Sequence, residues 1–143
     1  MAPAFLGIVL DSSVLIAAER RNLRPDQAIE SVHKVVGEIP IVLSAVSVAE
    51  IGHGIYRANT PELRAHRRAF LDELKATIPV YPVSGTTAEI VARIGGEQAG
   101  KGINLPLADL LIGACALELG YAVGTSNLRD FSRTPACTSH NSN

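Results

Sequence analysis

Phe5-Leu6-Gly7-Ile8-Val9-Leu10-Asp11-Ser12-Ser13-Val14-Leu15-Ile16 is an apolar run interrupted only by one carboxylate and two hydroxyls. Residues 6–10 read as a strand with no polar position, the pattern of a strand covered on both faces of a parallel sheet. Residues 14–20 read as a short helix, with Ser12 or Ser13 as its N-cap. A strand that feeds directly into a helix opens an α/β protein. Asp11 stands at the junction, outside the carboxyl end of the strand, where ligands collect in open α/β sheets.

Working outward, the same alternation continues along the chain. Residues 25–36 form a helix opened by Pro25, which residues 37–40 break. Residues 41–43 form the second strand, and residues 44–57 a turn and helix. Residues 61–75 make a charged amphipathic helix with Thr60 as N-cap. Residues 80–83 are a short strand that Pro82 assigns to an edge or to partial pairing. Residues 86–98 are helical, and residues 107–119 form the most apolar helix, closed by Gly120 as a C-cap. Residues 122–124 form a strand, and residues 125–131 turn away from its end. The prediction is an α/β fold with a mostly parallel sheet. It forms one domain over residues 1–135, followed by a polar, frayed tail over residues 136–143.

Composition narrows the function. A chain of 143 residues with 47% hydrophobic and 19% charged content is large enough for one buried core and is not disordered. A formal net charge of −1 gives no global attraction to nucleic acid, so any such affinity must come from a local basic patch or bound cations. Cys115 and Cys137 are too few for a disulfide scaffold, and no Cys/His spacing suggests zinc. Cys115 reads as a small buried hydrophobe. The first ten residues lack a basic n-region and end at Asp11, which argues against a signal peptide. No stretch reaches the roughly 18 apolar residues of a membrane span. The expectation is a soluble cytoplasmic protein.

Three acids stand almost alone in apolar surroundings. Asp11 is the only charged residue between Met1 and Glu19, Glu50 the only one between Glu38 and Arg57, and Asp109 the only one between Lys101 and Glu118. A carboxylate near a dry core loses several kcal/mol of hydration unless something pairs with it. With no Lys or Arg beside any of the three, the missing partner is a metal ion. Oxygen-only ligation suits Mg²⁺ or Mn²⁺. Such ions can activate water and stabilise in-line displacement at phosphorus.

Each residue also has a structural reading: Asp11 as a helix cap, Glu50 as a solvated helix residue, Asp109 as a complement to the helix dipole. Asn127 and Asp130, after the last clear strand, are weaker site candidates that also fit a turn former and a cap. His53 reads as a partly buried, hydrogen-bonded histidine in preference to a general base. Arg64, His66, Arg67 and Arg68 form a basic cluster that is either a solvated helix face or a phosphate contact. An aspartyl-phosphate mechanism at Asp11 is disfavoured, because Ser13 stands where a second Asp is wanted and no Lys follows Lys101.

Four blocks carry a family resemblance: Leu10-Asp11-Ser12-Ser13-Val14-Leu15-Ile16, Ser44-Ala45-Val46-Ser47-Val48-Ala49-Glu50-Ile51, Ala108-Asp109-Leu110-Leu111-Ile112-Gly113-Ala114 and Thr125-Ser126-Asn127-Leu128-Arg129-Asp130-Phe131. In this order and spacing the chain resembles the PIN-domain nucleases, specifically the VapC toxins of VapBC toxin–antitoxin modules. The resemblance implies a three-layer α/β/α sandwich with a mostly parallel sheet of four to five strands. It further implies a Mg²⁺- or Mn²⁺-dependent endoribonuclease that hydrolyses RNA phosphodiesters with an activated water.

Asp11, Glu50 and Asp109 fall on the family's metal-binding acids, and Ser13 on a supporting position, with Thr125 beside the site. Asn127 falls where many relatives carry a fourth acid and others Asn, and Asp130 offers a fourth charge. A homodimer and a VapB-like antitoxin that fills the groove near the acids are also implied. Relatives commonly end in an apolar strand after a Pro-Gly turn. Here Ala136-Cys137-Thr138-Ser139-His140 follows Pro135, so the last strand is expected to be short or missing. Two other readings stay open beside the toxin: a housekeeping RNA-processing nuclease of the same fold, and a non-catalytic RNA-binding or receiver-like module.

Overall fold

The computed structural model describes residues 5–126 and the backbone of residues 139–140. The strands are β1 (Ile8–Leu10), β2 (Ile41–Ser44), β3 (Val80–Tyr81), β4 (Ala122–Gly124) and β5 (Ser139–His140). The helices are α1 (Ser12–Arg20), α2 (Pro25–Val36), α3 (Ala45–Tyr56), α4 (Pro61–Thr77), α5 (Gly85–Gly100) and α6 (Leu107–Leu119). The sheet order is β3-β2-β1-β4-β5, and every neighbouring pair is parallel. The apolar run that opens the chain therefore forms the centre of the sheet.

Because side chains alternate along a strand, β1 feeds two cores. Ile8 and Leu10 pack with Ile41, Leu43 and apolar residues of α1 to α4. Val9 faces the other way, against Val42, Val123 and Ile112, Cys115 and Ala116 of α6. The three β1 residues are fully buried, and each such side chain contributes about 1.5–3 kcal/mol. Helices on both faces make the predicted three-layer α/β/α sandwich. Among the described residues no helix is long and apolar enough to cross a membrane.

Several predicted boundaries hold. Thr60 caps α4 by accepting from the Leu63 N–H at 3.1 Å, and Gly120 closes α6 with a left-handed φ of 70°. Strand β3 ends before Pro82 and pairs only with β2, as an edge should. Others shift for local reasons. The N-cap of α1 is Asp11, not Ser12 or Ser13: its carboxylate accepts from the Ser13 N–H, so the helix starts at Ser12. Helix α5 starts at Gly85 because Ser84 Oγ accepts from the Thr87 N–H. Part of the tail expected to fray is paired: Ser139–His140 adds a two-residue parallel strand beside β4. The predicted turn and tail at residues 127–138 and 141–143 lie outside the described residues.

A parallel sheet has all its carboxyl ends along one rim. Leu10, Ser44 and Gly124 end β1, β2 and β4 there, so Asp11, the start of α3 and Thr125 share that rim. Gly124 sits opposite Leu10, and a Cβ at this position would lie 2.8 Å from both Ile8 Cδ1 and Leu10 Cδ2. Both neighbours are fully buried and have no open space to move into. Glycine there lets β4 lie close to β1, immediately before Thr125.

Candidate functional site

The Asp11 carboxylate is the hub of the rim. It is only 5% exposed. Its Oδ1 accepts from Ser13 N at 3.1 Å and from Ser13 Oγ at 2.5 Å, and its Oδ2 accepts from Thr125 Oγ1 at 2.6 Å. The Ser126 N–H donates to Ser13 Oγ at 3.2 Å, which ties the loop after β4 to the start of α1. Asp11 thus satisfies its structural reading as a cap. It lies at the positive end of the α1 dipole and accepts from three neutral donors. No side-chain cation pairs with it among the described residues.

Glu50 reaches the same rim from α3. It is exposed, and its Oε1 accepts from Ser12 Oγ at 2.9 Å. One turn earlier, the buried Ser47 donates from Oγ to the Leu10 carbonyl at 3.3 Å, pinning α3 to the end of β1. The sequence offers Ser12 only as a helix cap and gives Ser47 no role of its own. The available signal was weak: Ser47 and Glu50 stand at i and i+3, one helix face apart by a single turn.

Asp109 is half-buried in the first turn of α6, where a negative charge suits the helix dipole. Helix α6 packs against β1, β2, β4 and α3. Asp11, Glu50, Ser13 and Thr125 are therefore gathered by hydrogen bonds around one junction, and Asp109 stands on a separate element, α6. Among the described residues no three His, Cys, Asp or Glu side chains gather closely enough to hold an ion. Asn127 and Asp130 lie outside the described residues.

The other predicted candidates take structural positions. His53 is exposed, not partly buried, and its ring makes no hydrogen bond among the described residues. The basic cluster on α4 is engaged with its own chain. Arg67 donates to Glu19 at 3.1 Å and to the Gly54 carbonyl at 2.8 Å, and His66 lies 3.5 Å from Glu19. Arg68 donates to Asp72 at 3.2 Å and to the Tyr56 hydroxyl at 2.9 Å, and Arg64 to the Ala58 carbonyl at 3.2 Å.

A second polar cluster lies on the far layer. Glu118 accepts from Thr87 Oγ1 and, at 3.2 Å, from the Tyr81 hydroxyl. Burial and that bond raise the Tyr81 phenol above its ordinary pKa. Burial, with Glu118 adding to it, pushes the neighbouring Cys115 thiol up to about 12. An inert thiol of this kind fits the expected core role.

A parallel α/β/α sandwich with an acidic rim at the strand ends defines a class, and the PIN-domain model matches residues 8–136. The chain belongs to the PIN-domain family. Within it, the chain is similar to Ribonuclease VapC1 of Rickettsia felis, 28% identical over 128 residues that cover 90% of each protein. It is 33% identical to Ribonuclease VapC5 of Mycobacterium tuberculosis over 122 residues, 83% of this chain and 82% of that one. Among solved structures, VapBC-5 from Mycobacterium tuberculosis, a member of the VapBC family of toxin–antitoxin systems, superposes with a TM-score of 0.69 at 29% identity. The superposition covers 94% of this chain and 96% of that one.

Proposed function

We propose that this chain is a Mg²⁺- or Mn²⁺-dependent endoribonuclease, the toxin of a toxin–antitoxin pair. On this reading it hydrolyses RNA phosphodiesters in the cytoplasm, as a homodimer restrained by a VapB-like antitoxin. The relatives named as VapC ribonucleases support the activity, and the toxin–antitoxin neighbour supports the partner. The observation that carries the reading is Asp11, a buried carboxylate bonded by hydroxyls and an amide but, among the described residues, by no side-chain cation.

The donor set fits a hard divalent ion. A carboxylate offers about four acceptor positions, so three donors on Asp11 leave roughly one for a cation. Among the described residues Asp11, Glu50 and Asp109 do not gather closely enough to hold an ion as they stand. They would be drawn around it and hold it through oxygen alone, with Asn127 or Asp130 completing the acidic set. A bound divalent ion supplies charge neutralisation at the phosphodiester and activates water for in-line displacement. Ser13 and Thr125 fix both oxygens of Asp11, so the carboxylate does not reorganise when RNA arrives. The acids by themselves repel phosphate, which makes cleavage depend on the added ion and not on the net charge of the chain.

The test is cleavage of a mixed structured RNA pool by purified protein with Mg²⁺, with Mn²⁺ and with EDTA, alongside Asp109→Asn. The expected result is cutting that needs the metal and is lost in the variant. Cutting that survives both EDTA and Asp109→Asn would overturn the assignment.

A further inference from the structure

Glu50 poses a geometric problem: its side chain is exposed on α3, where a glutamate samples several rotamers, yet the proposed site needs its carboxylate in one place. The structure assigns that ordering to Ser12, and we propose that Ser12 is a positioning residue for Glu50. The proposal rests on the metal-site reading given above.

Three consecutive residues at the β1–α1 junction hold two neighbouring segments, α3 and the residue after β4. Leu10 accepts from Ser47 on α3 through its carbonyl, Asp11 accepts from Thr125 after β4, and Ser12 donates to Glu50 on α3. Because Asp11 caps α1, the Ser12 hydroxyl is released from capping. It points instead at Glu50 Oε1, 2.9 Å away and 38 residues along the chain. The two bonds to α3 divide the work. Ser47, buried, sets where the helix lies against β1; Ser12, bonding to α3 one turn further along at Glu50, sets the rotamer of the carboxylate.

With Oε1 taken by Ser12, Oε2 accepts nothing among the described residues and remains available to an ion. The peptide bond between Asp11 and Ser12 then keeps the two acids in a fixed relation. This is the usual service of a partner behind a metal ligand: it orients the ligand without touching the metal.

The full-length chain would be titrated with Mn²⁺ in the absence of RNA, following free Mn²⁺ by electron paramagnetic resonance. Ser12→Ala should weaken Mn²⁺ binding about tenfold, and Ser12→Thr, which keeps the hydroxyl, should restore it. In a Glu50→Gln background, Ser12→Ala should have no further effect. In the cleavage assay the Mn²⁺ concentration for half-maximal rate should rise in parallel, with KM for RNA at saturating Mn²⁺ unchanged. Wild-type Mn²⁺ affinity in Ser12→Ala, or a loss that persists in full in the Glu50→Gln background, overturns the role of Ser12. Unchanged Mn²⁺ affinity in Asp11→Asn overturns instead the site on which that role depends. Melting curves of both Ser12 variants separate either result from unfolding.

Discussion

At one end of α1, Asp11 is held by the hydroxyls of Ser13 and Thr125; at the other, Glu19 is held by Arg67 and His66. Both carboxylates are largely withdrawn from water, and both face the cost of leaving it. Glu19 finds its counter-charge within the chain, through a salt bridge whose guanidinium also satisfies the Gly54 carbonyl. Among the described residues Asp11 finds only neutral donors. Those donors are good enough to keep a folded protein, yet none of them brings a counter-charge. The difference teaches how to read a buried acid: one that the chain neutralises supports the fold, and one that the chain only orients awaits something from outside. Glu118 shows that hydroxyl donors alone are not sufficient for that reading. It too is bonded by Thr87 and Tyr81, but it stands in the last turn of α6 with donors on α5 and β3, not at the β1–α1 junction that carries Asp11.

The sharpest way to break this contrast is Asp11→Asn. Asparagine still caps a helix, so the fold should persist. The metal-dependent RNase rate should fall by at least about 100-fold, because a ligand matters more than the partners behind it. A cleavage assay on protein with a wild-type circular dichroism spectrum checks this, and near-normal activity would make Asp11 a cap and nothing more.

Next in size is the effect of the ion on stability. At about a hundredfold excess over its dissociation constant, a ligand specific for the folded state adds about 2.7 kcal/mol. Mn²⁺ should therefore raise the Tm of the wild type by several degrees, and chelation should reverse the gain. Asp11→Asn should show no such shift, whereas Glu19→Gln should keep it. Equal shifts in the two variants would erase the distinction between the ends of α1.

The opposite variant is Arg67→Ala, which strips Glu19 and the Gly54 carbonyl of their main donor. Leaving such groups unsatisfied costs about 1–3 kcal/mol. Thermal melting should register the loss, while the cleavage rate of the remaining folded protein stays at the wild-type level. A selective rise in KM for RNA would instead assign Arg67 to phosphate contact.

The smallest expected effect concerns Cys115, beside Glu118. Its folded pKa is about 12, above the ordinary thiol value of 9.0. The unfolded chain therefore releases this proton first, and the contribution of Cys115 to stability is present below about pH 9 and declines as pH rises toward 12. Cys115→Ala should show a shallower fall in Tm over that alkaline window than the wild type. Parallel pH slopes would mean that the thiol is less sheltered than its burial indicates.

Much of the architecture was legible along the chain. Residues 8–10 are apolar without a break, Thr60 stands before Pro61, and Gly120 follows an apolar helix, so the strand, the cap and the stop could each be read locally. The three isolated acids could be picked out for the same reason, since a charge in an apolar run is conspicuous in one dimension. What could not be read was which hydroxyl serves which acid. Ser12 and Ser13 are neighbours of the same type, yet one turns to Glu50 and the other to Asp11 and Thr125. His53 was placed wrongly because helical spacing gives a face but not what covers it.

By itself, then, the sequence determined the order of elements, the central strand and the identity of the lone carboxylates, because these depend on contacts within a few residues and on the partition of apolar side chains from water. Only the tertiary structure decided that Asp11 is the cap of α1, that Thr125 reaches it across 114 residues, and that Arg67 neutralises Glu19 but not Asp11. Those are choices among chemically similar partners. They are settled by which groups the parallel sheet and its packed helices bring within hydrogen-bonding distance.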